Sequence, residues 1–107
     1  MATYLKGKSR PIRRQEGDTA DITITFPAIL PTAGATLKFH VYKEFVGEPI
    51  ITKELPMLGQ SVTVPLAPGD TKGKAGRHMY EIELTLPDGA VITTATNEFI
   101  IEKELIK

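Results

Sequence analysis

The stretch that decides the fold runs from His78 to Ala95 and reads HMYEIELTLPDGAVITTA. From Tyr80 to Leu86, apolar side chains alternate with glutamate and threonine, which gives an extended chain one apolar face and one polar face. Asp88-Gly89 is typical of a tight hairpin turn, and β-branched residues follow it over 91–94. This stretch therefore predicts an antiparallel β-hairpin with one buried face.

Further segments show the same alternation, and Pro- and Gly-rich turns separate them without any helical period. These predicted strands are residues 21–26, 35–42, 50–53, 62–66 and 98–103. With the hairpin they make about seven short strands, the pattern of an all-β, single antiparallel β-sandwich. A small open β-barrel fits the same periodicity.

The inward face of these strands is predicted to form the hydrophobic core. Its members are Ile22, Ile24, Phe26, Leu37, Phe39, Val41, Val62, Val64, Leu66, Tyr80, Ile82, Leu84, Leu86, Phe99 and Ile101. Ile100 falls on the opposite face, so it belongs either to a second buried face or to an intermolecular contact. Residues 71–76 are predicted to be the most flexible loop of the chain.

Length and composition limit the class of protein. The chain has 107 residues, 41% of them hydrophobic and none of them cysteine, which predicts one domain over 1–107 without disulfides. Thirteen basic and thirteen acidic residues cancel, which argues against a dedicated nucleic-acid binder. No apolar run is long enough for a membrane span, and residues 1–10 lack the apolar segment of a signal peptide, so we expect folding in a cytoplasm.

Residues 1–15 form a basic N-terminal arm or a first strand. They hold five basic residues and no acidic one, whereas the other 92 residues hold 8 basic and 13 acidic groups. Such a segment either stays solvated, contacts a protein partner or binds nucleic acid, and only Tyr4 is present to stack on bases. We interpret the basic residues as a protein-interaction site: Lys6, Lys8, Arg10, Arg13 and Arg14.

No residue pattern predicts catalysis. His40 and His78 lie on separate strands without metal-ligand spacing, and both are expected at the surface or rim of the sheet. Glu81 and Glu83 stand roughly 7 Å apart on one strand, a separation that would suit the carboxylate pair of a glycosidase, but a flat, solvated sheet face does not exclude water. The sequence therefore predicts no enzyme, no cofactor and no metal site.

Two segments resemble a known family. Arg13 to Thr19 (RRQEGDT) precedes an alternating strand, and Gly76 to Leu84 precedes the Asp-Gly hairpin and a final Phe99-Ile-Ile strand. Both are similar to the small Ig-like β-sandwich domains of tailed-phage and prophage baseplate and tail proteins.

The resemblance implies a structural role. The chain would be a non-enzymatic structural module that acts in virion assembly as a homo-oligomer or beside neighbouring virion proteins. It would be found in the host cytoplasm and then in the virion. Two alternatives stay open, a carbohydrate- or cell-surface-binding sandwich using Tyr4, Tyr42 or Phe45, and an accessory domain of a larger secreted protein.

Overall fold

The computed structural model describes residues 11–26, 32–43 and 47–103, with the side chains of 94 and 95 left aside. The fold class is all-β, as the alternation predicts. The strands are β1 (Ile12–Gln15), β2 (Ala20–Thr25), β3 (Thr36–Tyr42), β4 (Ile51–Pro56), β5 (Ser61–Leu66), β6 (Gly76–Thr85) and β7 (Val91–Glu102). One short helix, α1 (Pro68–Thr71), follows β5, and no helix in the described ranges is long and apolar enough to cross a membrane.

The predicted hairpin is formed by β6 and β7. Gly89 has a φ of 92°, a left-handed conformation that suits glycine, and Leu86 N donates to Ala90 O at 2.8 Å across the turn. The strand register then shifts, because Ile82 pairs with Ala95 while Glu83 pairs with Thr93. This bulge reverses the alternation of inward and outward side chains along β7. The two strands predicted over 91–94 and 98–103 are parts of this one continuous strand.

The strands form two sheets. The larger sheet is curled and has the order β1-β7-β6-β3-β4, and the smaller one pairs β2 with β5. All pairs are antiparallel except β1 with β7, which is parallel. The basic segment predicted as an arm or first strand is therefore a strand over its last residues, Ile12–Gln15.

One hydrophobic cluster takes its side chains from both sheets. Phe39 lies at its centre, with its ring 5.7 Å from that of Tyr80 and 6.0 Å from that of Phe99. Most of the predicted core residues are buried, but Ile24, Val62 and Leu86 are only partly so. Ala35, Ile51 and Met57 are buried without having been predicted. Ile100 is only half-buried on the face of the sheet opposite the core.

The segment predicted as the most flexible loop is tied to the rest of the chain. Thr71 ends α1, is buried, and accepts a hydrogen bond from Gly17 N at 2.9 Å. Gly73 N donates to Glu16 Oε2 at 2.6 Å. The β1–β2 turn therefore holds this loop in place, an arrangement between distant segments that local sequence does not encode.

Candidate functional site

The predicted interaction residues divide into two groups. Lys6, Lys8 and Arg10 lie outside the described residues. Arg13 and Arg14 lie in β1, an edge strand of the larger sheet. The structure therefore places only two of the five predicted residues.

Arg13 and Arg14 point to opposite faces of the sheet. Arg13 is exposed, with its Nη1 3.4 Å from Glu102 Oε2, a separation and exposure at which an ion pair contributes little to stability. Arg14 shares the inward side with its register partner Ile101, and its Nη2 donates to Asp21 O in β2 at 3.1 Å. Arg14 thus joins the two sheets, whereas Arg13 remains accessible to a partner.

The opposite edge of the larger sheet carries a similar cation. Lys53 of β4 is the register partner of the core residue Phe39, so it also lies on the inward side. Its Nζ is 2.8 Å from Asp70 Oδ2, and Asp70 follows the smaller sheet in α1. Arg14 therefore joins one edge of the larger sheet to the smaller sheet, and Lys53 joins the other edge to α1. Inward-pointing charges of this kind also discourage edge-to-edge aggregation.

Asp70 is held in its ionised form. Burial raises the pKa of Asp70, but hydrogen bonds from Lys53 Nζ and Ala67 N, with the positive charges of Lys53 and Lys74, outweigh it. The pKa of Asp70 therefore lies below its ordinary value of 3.8. Its contribution to stability is present above pH 3.8 and is lost as the pH falls through the lower folded-state pKa.

We expect Asp70→Asn to reduce the free energy of unfolding by about 1–2 kcal/mol at pH 7, because it removes the charge that pairs with Lys53. The difference from the unmodified protein should shrink below about pH 4 as Asp70 itself becomes protonated. Urea denaturation between pH 2.5 and 7 measures it, with the exposed Glu54→Gln as control. A difference that stays constant over this pH range would contradict the conclusion that the ionised Asp70 carboxylate stabilises the fold by pairing with Lys53.

The outer face of the larger sheet carries more acidic than basic residues. The strand register places Glu54, Lys38 and Glu83 side by side on three neighbouring strands, with His40 and Glu81 in the next row. Glu81 and Glu83 are half-buried on this face, in agreement with the prediction that both point away from the core. The face is therefore complementary in charge to the basic N-terminal segment.

The two histidines differ in environment. His40 is half-buried on the outer face, with its Nδ1 3.2 Å from Tyr42 Oη. The prediction of a surface or rim position for His78 is wrong, because it is 6% exposed and its Nε2 donates to Lys74 O at 2.7 Å. Since β6 begins at Gly76, position 78 falls on the same inward side as Tyr80 and Ile82. Within the described ranges, no group of three or more His, Cys, Asp or Glu residues is placed to hold a metal ion.

A cavity of about 280 Å³ opens where β3 ends and β6 begins. Its walls combine residues from three parts of the chain: Lys43, Ile50 and the segment 73–78. Sequence reasoning did not find this cavity, because its three cationic residues, Lys43, Lys74 and Arg77, form no sequence motif.

Comparison with known proteins does not give a family for this chain. No protein-family model matches the sequence, and no curated protein matches it. The strand order, the surface charges and the cavity are therefore the features of this chain that bear on its function.

Proposed function

We propose that the chain is an Ig-like β-sandwich that acts as a non-enzymatic structural module in the tail or baseplate of a tailed phage or prophage. The observation that carries the Ig-like part of this proposal is the strand order. The order β7-β6-β3-β4 corresponds to strands G, F, C and C′ of a variable-type Ig sheet, and β2 with β5 corresponds to B and E. The phage role rests on the sequence resemblance of residues 13–19 and 76–84 to phage Ig-like domains.

Two further features favour a sandwich over a small barrel. In the part of the chain that the structure describes, β2 and β5 pair only with each other and not with any strand of the larger sheet. Side chains of both sheets nevertheless pack into one cluster. Two separate sheets that cover one core are the arrangement of a sandwich, whereas a barrel closes through a continuous ladder.

The role in assembly follows from the separation of charge. The basic segment with Lys6, Lys8, Arg10 and Arg13 contacts either the acidic outer face around Glu81 and Glu83 of a neighbouring copy or an acidic surface of another virion protein. Such a contact gives orientation and specificity, and salt weakens it. The protein would be made in the host cytoplasm and then built into the virion.

The contact predicts a salt-sensitive oligomer. Light scattering at several concentrations should show a discrete oligomer at low salt that dissociates at high salt. Replacing Lys6, Lys8 and Arg10 by serine should weaken association roughly tenfold, since several exposed ion pairs are lost together. Arg14 stays unchanged because it bridges the two sheets, and Arg13 stays unchanged because it pairs with Glu102 within the same sheet.

The matched control replaces Lys72, Lys103 and Lys107 by serine, which removes the same charge elsewhere in the chain. If both triple variants have the same mass as the unmodified protein under all conditions, the basic segment is not the contact. The virion assignment is tested separately by peptide mass spectrometry of purified tailed particles from the source cells. Particles that lack this chain would contradict the phage role and leave the self-association result standing.

A further inference from the structure

The cavity at the end of the larger sheet is strongly cationic. Lys43, Lys74 and Arg77 line it, and no carboxylate side chain among the described residues does so. Arg77 Nε is 3.2 Å from Glu98 Oε2, which leaves the rest of its guanidinium for other partners. Lys74 Nζ donates to Asp70 O, and the Asp70 carboxylate, whose pKa the charge of Lys74 also lowers, forms its ion pair with Lys53. Lys43 forms no ion pair with the described residues. The described residues that line the cavity therefore carry positive charges and no negative one.

Hydrogen bonds within the chain hold the segment that forms one wall of the cavity. Lys74 N donates to Thr71 O at 3.0 Å, and the buried His78 holds the Lys74 carbonyl from the opposite side. Gly73 N is held by the Glu16 carboxylate. A ligand that enters this cavity does not have to order the loop, so less binding free energy is lost to conformational entropy.

We infer that this cavity is a binding site for a phosphate group, either free inorganic phosphate or the phosphate of a small ester. Three cations from two sides match an anion with two charges and several acceptor oxygens, and a guanidinium binds such oxygens through paired N–H groups. The volume accommodates an ion several times the size of water, whose share of the liquid is about 30 Å³. The inference does not depend on the proposed role in a virion.

A titration of the full chain followed by ¹H–¹⁵N NMR tests the inference. Inorganic phosphate is added at constant ionic strength, with sodium chloride as the reference. The amide signals of residues 73–78 and of Lys43 should move and reach saturation, while those of the smaller sheet stay in place. Shifts without saturation, or equal shifts with chloride, would show only a diffuse ion atmosphere and would overturn the inference.

Variants then assign the binding to the cavity. Lys43→Gln and Lys74→Gln should each weaken phosphate binding about tenfold, because each loses one charge-assisted hydrogen bond. Lys38→Gln removes the same charge from the outer sheet face and should leave the affinity unchanged. Equal losses in all three variants would overturn the inference. Lys43 is exposed directly after β3, so Lys43→Gln should leave the fold intact. This variant therefore still tests the cavity if Lys74→Gln disturbs the loop.

The source of the phosphate is resolved by comparing inorganic phosphate, pyrophosphate and glycerol 3-phosphate in the same titration. Tightest binding of the ester would identify an organic ligand, with Ile50 as the contact for its carbon atoms. Tightest binding of inorganic phosphate would identify the free ion. No saturable binding of any of the three would overturn the inference.

Discussion

Replacing Phe39 by alanine is expected to lower the free energy of unfolding by about 3–5 kcal/mol. Phe39 has no exposed surface and packs between Tyr80 and Phe99 in the cluster that both sheets share. The change removes aromatic contacts and leaves a cavity that strands on both sides cannot close. Since domains of this size are stable by about 5–15 kcal/mol, much of the stability would be lost.

The control for Phe39 is its neighbour on the same strand. Lys38 lies on the outer face, so Lys38→Ala should change the free energy of unfolding by no more than about 0.5 kcal/mol. Urea denaturation of both variants measures the difference. Because a shift of one residue exchanges the two faces of a strand, a larger loss for Lys38→Ala would show that β3 is paired out of register.

Replacing Met57 by alanine is expected to lower the free energy of unfolding by about 2–5 kcal/mol, although Met57 lies in a loop after β4. Only 1% of its surface is exposed. Its backbone is held as well, because Met57 N donates to Ala35 O at 2.8 Å and Met57 O accepts from Gly34 N at 2.9 Å. The loop thus places this side chain in the core beside the start of β3.

The neighbouring residue provides a matched control. Leu58 is a similar apolar residue with 90% of its surface exposed, so Leu58→Ala should change stability by no more than about 0.5 kcal/mol. Thermal and urea unfolding of the two variants give the comparison. Equal losses would mean that the loop does not bury Met57 as the structure has it.

Local sequence predicted the strands well where one face of the strand is buried. The alternation of β3 and β6 identified Leu37, Phe39 and Leu84 as inward residues, because side chains of a strand point to alternate faces. The turn at Asp88-Gly89 was equally clear, since few residues adopt a left-handed conformation as readily as glycine. The same rule identified Phe99 and Ile101 as inward residues of β7, but it did not show that residues 91–102 form one strand with a bulge at Thr94.

Contacts between distant segments could not be read from the sequence. The parallel pairing of β1 with β7 joins residues more than eighty positions apart. The burial of His78 depends on the strand start at Gly76 and on the carbonyl of Lys74, and polarity alone suggested a surface position. The candidate interaction site has two parts. The basic segment could be recognised from its charges in the sequence, whereas the acidic face could be recognised only from the register of three strands.

The sequence by itself therefore determined the all-β class, the central hairpin and the inward face of most strands, because these depend on neighbours along the chain. The tertiary structure alone decided the sheet order, the contacts of Arg14 with β2 and of Lys53 with α1, and the meeting of Lys43, Lys74 and Arg77 around one cavity. These features depend on which segments meet in space, and the periodicity of a single strand does not specify its partner.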